Sequence, residues 1–238
     1  MPLTSIISLL QFTTILPLGR TRDFGEFARR SWLYPLAGYV VGGIAASAVF
    51  FIGQPLIAAA IALGLLFLLT GCNHLDGLMD LGDGLMAHGD REKRVNALTD
   101  RQIGTGGLAL AISVCLISFS SLAAAPCLPC ALIIAEVGGK FSMAFLSRFG
   151  IPFHEGLHSS IQSQSRPWFP VLAAILCIPL VLLPVAPLSL AAAAVMMVAC
   201  PTALLLISRR LFGGVNGDVV GASNEITRAL VLAALCLA

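Results

Sequence analysis

Three carboxylates fall within eight residues of an otherwise apolar chain: Asp76, Asp80 and Asp83, in the run His74-Leu75-Asp76-Gly77-Leu78-Met79-Asp80-Leu81-Gly82-Asp83-Gly84. At i, i+4 and i+7 they share one helical face, within about 60° of one another. Like charges at that spacing repel and weaken a helix unless something positive sits among them. No Lys or Arg occurs between Thr70 and Asp90. A hard divalent cation, Mg²⁺ foremost, suits an all-oxygen face and commonly also grips a phosphate. Asp76, Asp80 and Asp83 are therefore the candidate metal ligands. His74 lies roughly opposite Asp76 around such a helix, which suits a structural role better than ligation.

Two further clusters extend the pattern. The charged run Asp90-Arg91-Glu92-Lys93-Arg94 leads to Asp100-Arg101-Gln102-Ile103-Gly104-Thr105-Gly106-Gly107. It adds another acid and a glycine-rich turn, whose backbone N–H groups near Gly106 are placed to approach a phosphate. The third cluster is Gly213-Gly214-Val215-Asn216-Gly217-Asp218-Val219-Val220-Gly221-Ala222-Ser223-Asn224-Glu225. Asp218 and Glu225 are seven apart on one helical face, with Gly221 and Ala222 between them, small enough to admit a helix or a bulky ligand. The sum is a carboxylate-rich pocket ringed by arginines: acids hold metal, metal holds phosphate, and Arg neutralises the remainder. Phosphoryl transfer needs little more than such positioning and neutralisation, with a carboxylate to take the nucleophile's proton. No P-loop, Ser–His–Asp set or dinucleotide fingerprint is present. His154 and His158, four apart in a loop-like stretch, read first as incidental, with contact to substrate as the alternative.

The elements that must position these groups are membrane helices. Of 238 residues, 58% are hydrophobic and 11% charged, with mean hydropathy +0.93. Soluble domains carry about 25% charged residues, so composition predicts an all-α, polytopic integral membrane bundle. The net charge of +2 offers nothing to nucleic acid. Spans are expected near Trp32–Gly53, Pro55–Cys72, Gly106–Ala125, Cys130–Gly150, Trp168–Pro184, Leu188–Ile207 and Ile226–Ala238, about seven in all, with the last short. Ser5–Leu16 is apolar but too short to cross, and is expected in the interface or beneath the bundle. Met1–Leu18 lacks the basic start and small-residue cleavage site of a secretory signal. The whole chain, 1–238, reads as one transferase domain.

Charge then orients the bundle. Arg20, Arg22, Arg29, Arg30, Arg91, Lys93, Arg94, Arg101, Arg148, Arg166, Arg209, Arg210 and Arg228 all fall on one side if every span crosses. The opposite connections, Gly53–Pro55, Pro126–Pro129 and Val185–Pro187, carry no charge. The positive-inside rule makes the charged side, with all the acids above, cytoplasmic; an inner-membrane location follows. Only Glu136 and Lys140 lie well inside an expected span. At i, i+4 they are either a structural ion pair or a lysine reaching for substrate phosphate. The seven cysteines are mostly buried filler. Cys127-Leu128-Pro129-Cys130 is a lone CxxC, able to form a disulfide on an oxidising side.

At these residues the chain resembles the cobalamin synthase family, the adenosylcobinamide-GDP ribazoletransferases. The block His74–Leu85 is the family's most diagnostic stretch; Asp100–Gly107 is similar to its Asp-Ser-x-Ile-Gly segment, and Gly213–Glu225 to its C-terminal Gly-Asp-x-x-Gly-Ala-x-x-Glu signature. Leu10–Pro17 and Tyr34–Gly38 fit as well, so the likeness runs nearly end to end. Arg101 stands where Ser is expected and Asn216 where Thr is usual, and His154–Pro167 matches nothing in the pattern. The resemblance implies joining of adenosylcobinamide-GDP to α-ribazole or its 5′-phosphate, with release of GMP. With that reaction, Mg²⁺ is expected on Asp76, Asp80 and Asp83, a general base in Asp83 or next Asp100, and a second metal or the incoming nucleoside on Asp218 and Glu225; Arg101 and Lys140 are further candidate substrate contacts read from their own positions. Oligomeric state stays open.

Two other transferase classes brush the same residues. CDP-alcohol phosphotransferases want Ala-Arg where Asp80-Leu81 stands. Membrane prenyltransferases use spacings near Asn73-x-x-Asp76-x-x-x-Asp80, but a second motif built from Asp218 and Glu225 matches theirs poorly. A cation transporter would carry its acids near the bilayer midplane, whereas these cluster at one face.

Overall fold

The computed structural model describes residues 2–237. Among them the regular structure is helical: α1 Pro2–Thr13, α2 Phe24–Ala28, α3 Tyr34–Val49, α4 Pro55–Leu69, α5 Asn73–Met86, α6 Arg91–Thr99, α7 Thr105–Ala124, α8 Leu128–Phe149, α9 Leu157–Gln164, α10 Phe169–Cys177, α11 Pro187–Leu211 and α12 Gly217–Leu237. Five helical segments are long and apolar enough to cross a membrane: Ser31–Val49, Thr105–Ala124, Leu128–Phe149, Pro187–Leu211 and Gly217–Cys236. α4, and α10 with the 3₁₀ turn Ile178–Leu182, are two further candidate crossings when taken with the helix each joins at more than 90°, which brings the number to as many as seven by length and composition. The all-α polytopic bundle expected from composition is what the chain builds.

The two turned helices matter most for function. After α4, Gly71 (φ +61°) and Cys72 (φ +59°) are successive left-handed residues, and they swing α5 through 92°. Glycine takes that conformation freely, whereas Cys72 accepts it at a cost of roughly 1–2 kcal/mol. α5 therefore lies across the end of the bundle, outside the membrane-spanning segments, and α9 leaves α10 at 94° in the same manner. α5 crosses the first turns of both α7 and α12. A Cβ on Gly77 would stand 2.6 Å from the Asp218 carbonyl oxygen, and one on Gly82 would stand 2.8 Å from Gly107 Cα. Bare backbone at both positions lets the acidic helix seat directly on the two helix starts.

α8 is the buried centre. Gly38 and Gly42 of α3 pack on its backbone; a Cβ on Gly38 would reach within 2.6 Å of Val137 Cα. α1 tucks its Ser5, Ser8, Leu9 and Leu10 face into the protein and binds α2 and α3 through Phe12, Phe24, Phe27 and Tyr34, an edge-and-stack aromatic cluster. That is the short apolar helix packed beneath the bundle. Cys127 and Cys130 are joined by a disulfide at the start of α8, at the opposite end of the bundle from α5.

One boundary differs from the sequence reading. The last span was expected to begin at Ile226, but α12 runs unbroken from Gly217. Glu225 and Arg228, expected at the charged end, lie fully buried within it. Hydropathy windows penalise each charge separately; here the charges neutralise one another, so the helix crosses with them inside.

Candidate active site

The acids of the first motif do not stay together. Asp83 turns to α7: one carboxylate oxygen accepts from the Gly104 N–H at 2.7 Å, the other from the Gly107 N–H at 2.8 Å. Four N–H groups at a helix start lack intrahelical partners, and an anion there is favoured by the dipole. Asp83 fills that role from another helix. Amides of this glycine-rich turn, expected to be open to phosphate, are thus already bonded to Asp83. Each Asp83 oxygen accepts one of these bonds and keeps a second lone pair, so Asp83 holds the start of α7 in addition to whatever ligand or base role the sequence suggested. Asp100 ends α6, exposed, and accepts from the Gln102 N–H at 3.1 Å. Arg101 follows it on the exposed loop before α7. Asp83 and Asp100 line a shallow depression of about 310 Å³ beside α5.

Asp76 and Asp80 face the other way, toward Asp218. The Gly77 contact with the first turn of α12 brings these three together. Asp76 is exposed and Asp80 half-buried. Burial, then the Asp218, Asp76 and Asp83 carboxylates, push the Asp80 carboxyl up to about 7. Asn216 donates to Asp218 Oδ2 at 2.7 Å and caps α12 by accepting from the Val219 N–H. Among the described residues no Lys or Arg forms an ion pair with Asp76, Asp80 or Asp218, whereas other acids of the chain do find such partners. An acidic cluster of this kind is stabilised by a cation. The donor set is all oxygen, which suits a hard divalent ion. No three His, Cys, Asp or Glu among the described residues are closed around one point as an all-protein cage. Mg²⁺ seldom needs one, being held by one or two carboxylates plus substrate phosphates.

Beneath Asp76 and Asp218 lies a cavity of about 310 Å³, between α1, α3, α5, α8, α9 and α12. Its wall mixes Phe12, Met143, Leu157 and Ile161 with Tyr34, Asn73, His74, Ser147 and His158. His74, read from the sequence as structural, is buried yet lines this wall. Burial, then the nearby Lys140 and Arg228 charges, hold its ring well below the usual histidine range, hence neutral. His158 also lines it, its Nε2 bonded to the Gly150 carbonyl at 3.0 Å. Phe12 and Ser147 drew no functional reading from the sequence, and His158 only the alternative of a substrate contact.

Glu225 and Lys140 are not in that wall. Lys140 donates to Asn224 Oδ1 at 2.8 Å and stands 3.8 Å from Glu136. Arg228 bonds Glu136 at 3.2 Å and pairs with Glu225, and Asn224 donates to Glu225. Two anions and two cations close a neutral network between α8 and α12, with each side chain at most 2% exposed. Leaving one such charge unpaired in hydrocarbon is costly, so these groups are committed to one another.

Comparison with known proteins places the chain in a family. Residues 5–236 match the family described as Cobalamin-5-phosphate synthase. The chain is 37% identical to the adenosylcobinamide-GDP ribazoletransferase of Halorubrum lacusprofundi, over 98% of this chain and 96% of the relative. It is 37% identical to that of Methanococcoides burtonii (95% and 89%) and 36% identical to that of Deinococcus radiodurans (94% and 82%). No solved structure matches it. The match spans every element from α1 to α12, the acidic α5 included, and the chain belongs to the Cobalamin-5-phosphate synthase family.

Proposed function

We propose that this protein is a membrane-embedded transferase that joins adenosylcobinamide-GDP to α-ribazole, or to its 5′-phosphate, and releases GMP. The observation that carries this reading is the grouping of Asp76, Asp80 and Asp218, three carboxylates without an ion-pair partner among the described residues, with Asp76 and Asp218 lining a cavity of about 310 Å³. In the reaction the ribose 3′-hydroxyl attacks the phosphorus nearer the corrinoid. A new P–O bond forms, the P–O bond to GMP breaks, and the hydroxyl proton leaves to a carboxylate. Asp76 and Asp80 are the residues that would hold Mg²⁺, which when bound neutralises the diphosphate.

Asp218 lines the cavity with one oxygen held by Asn216, and the other is the acceptor we assign to the hydroxyl proton. Asp100 and Arg101, exposed between α6 and α7 on the Asp83 side of α5, are left to meet the part of the donor that lies outside the cavity. Asp83 keeps the start of α7 in register with α5. The charge asymmetry of the loops supports a cytoplasmic site in the cell membrane, with the Cys127–Cys130 end outside. Purified protein in liposomes, given adenosylcobinamide-GDP, α-ribazole and Mg²⁺, should release GMP in step with a new corrinoid, and EDTA should stop it. A folded sample that forms neither product would remove this function.

A further inference from the structure

The cavity under α5 has unmet hydrogen-bonding capacity. The Nδ1 atoms of His74 and His158 are buried side-chain atoms with no hydrogen-bond partner, the Ser147 Oγ lies beside the Tyr34 hydroxyl, and all four residues line it. The state of His158 follows from its bond: Gly150 offers a carbonyl, so Nε2 must carry the proton, and Nδ1 of a neutral ring is left as an acceptor. Ser147 can both donate and accept. Buried polar atoms rarely lack partners unless a ligand supplies them. The remaining wall (Phe12, Met143, Ile161) is apolar and suits a flat ring.

Size discriminates between the two substrates. At about 310 Å³ the cavity sits at the bottom of the roughly 300–1,000 Å³ range of small-molecule sites. A corrinoid bearing a nucleoside diphosphate does not enter such a space; a nucleoside does. We infer that this cavity is the acceptor site, holding an aromatic-base nucleoside with its base against Phe12, Met143 and Ile161 and its polar groups on His158 and Ser147. The inference rests on the proposed transferase reading. It leaves the donor's corrinoid outside, over α5, with the reacting phosphate between the two at Asp76 and Asp218. Specificity for the acceptor then resides in residues of α1, α8 and α9, none of them in the acidic motifs.

The test is a split of Michaelis constants in the full-length protein in liposomes. Ser147→Ala and Ile161→Trp should each raise KM for α-ribazole, the first by roughly 5- to 20-fold on loss of one buried hydrogen bond. KM for adenosylcobinamide-GDP should stay within about twofold of wild type. Direct titration of α-ribazole into each protein without donor should show the same weakening, which a variant defective only in folding would not confine to one substrate. If wild type turns over but both variants raise KM for the donor, or leave KM for α-ribazole unchanged, the acceptor assignment falls while the transferase reading stands. If wild type neither binds α-ribazole nor turns over, both fall.

Discussion

Asp83→Asn separates a carboxylate that builds the site from one that performs chemistry in it. In the protein both Asp83 oxygens accept backbone N–H groups, from Gly104 at 2.7 Å and Gly107 at 2.8 Å. Asparagine keeps one acceptor and turns an NH₂ toward the other donor. A hydrogen bond to a charged group contributes about 1.5–3 kcal/mol, and the lost anion at the start of α7 about 0.3–1 kcal/mol more. The start of α7 is therefore loosened by about 2–4 kcal/mol. At about 1.4 kcal/mol per factor of ten, amide exchange at Gly104 and Gly107 should quicken roughly 30- to 1,000-fold. Hydrogen exchange read by mass spectrometry on peptides covering this turn measures that change, with peptides from α8 as the unchanged reference. If exchange stays at the wild-type rate while activity is lost, Asp83 acts on substrate or cation and the capping argument is wrong.

Three other expectations follow from contacts at the same end and in the core. Gly77→Ala places a methyl 2.6 Å from the Asp218 carbonyl oxygen and should lift α5 from α12, cutting kcat/KM at least roughly tenfold. Gly43→Ala, with nothing within 4 Å, should leave it near wild type, and equal activity in both would refute the seating argument. Asp80→Asn should stabilise the protein in EDTA at pH 8. A carboxyl raised to about 7 disfavours the ionised form in the fold, so the stability linked to its proton is present at low pH and lost as pH rises from about 4 through 7. At pH 5, about one unit into that window, the gain in melting temperature should shrink to roughly a third; a gain of the same size at both pH values would sink this reading. Arg228→Met leaves Glu136 and Glu225 facing each other without their shared partner and should cost about 3–5 kcal/mol. Pairing it with Glu225→Gln, which restores charge balance, should recover part of the lost thermal stability in detergent. No recovery would mean that Arg228 acts through packing alone.

Much of the fold was legible because hydropathy reports spans directly, and charge asymmetry reports which connections share an end. The break after α4 was less so. It depends on Cys72 holding a left-handed backbone, which no pattern of residue types announces. The acidic motif was read as one face of candidate metal ligands, with Asp83 also the first choice of general base. Helical spacing does put Asp76, Asp80 and Asp83 side by side, but it is silent on what packs against each. α7 claims Asp83, and α12 supplies Asp218 to the other two. Glu225 was misplaced for a related reason: its partners Arg228 and Glu136 come from one turn away and from another helix, so the sequence shows charges without showing that they cancel. The cavity wall was legible only where the motifs supply it, at His74, Asp76 and Asp218; Phe12 of α1 meets Ser147 of α8 and His158 of α9 only because those helices cross.

The most direct measurement is kcat for GMP release, with corrinoid product quantified, in wild type and in Asp218→Asn at saturating adenosylcobinamide-GDP, α-ribazole and Mg²⁺. Asp218 lies in a different helix from Asp76 and Asp80 and shares a site with them only if α5 and α12 meet as described. A fall of at least about 100-fold, in protein whose melting temperature is unchanged, is the expected result. Wild-type kcat in Asp218→Asn would contradict the joining of α5 and α12 into one catalytic centre.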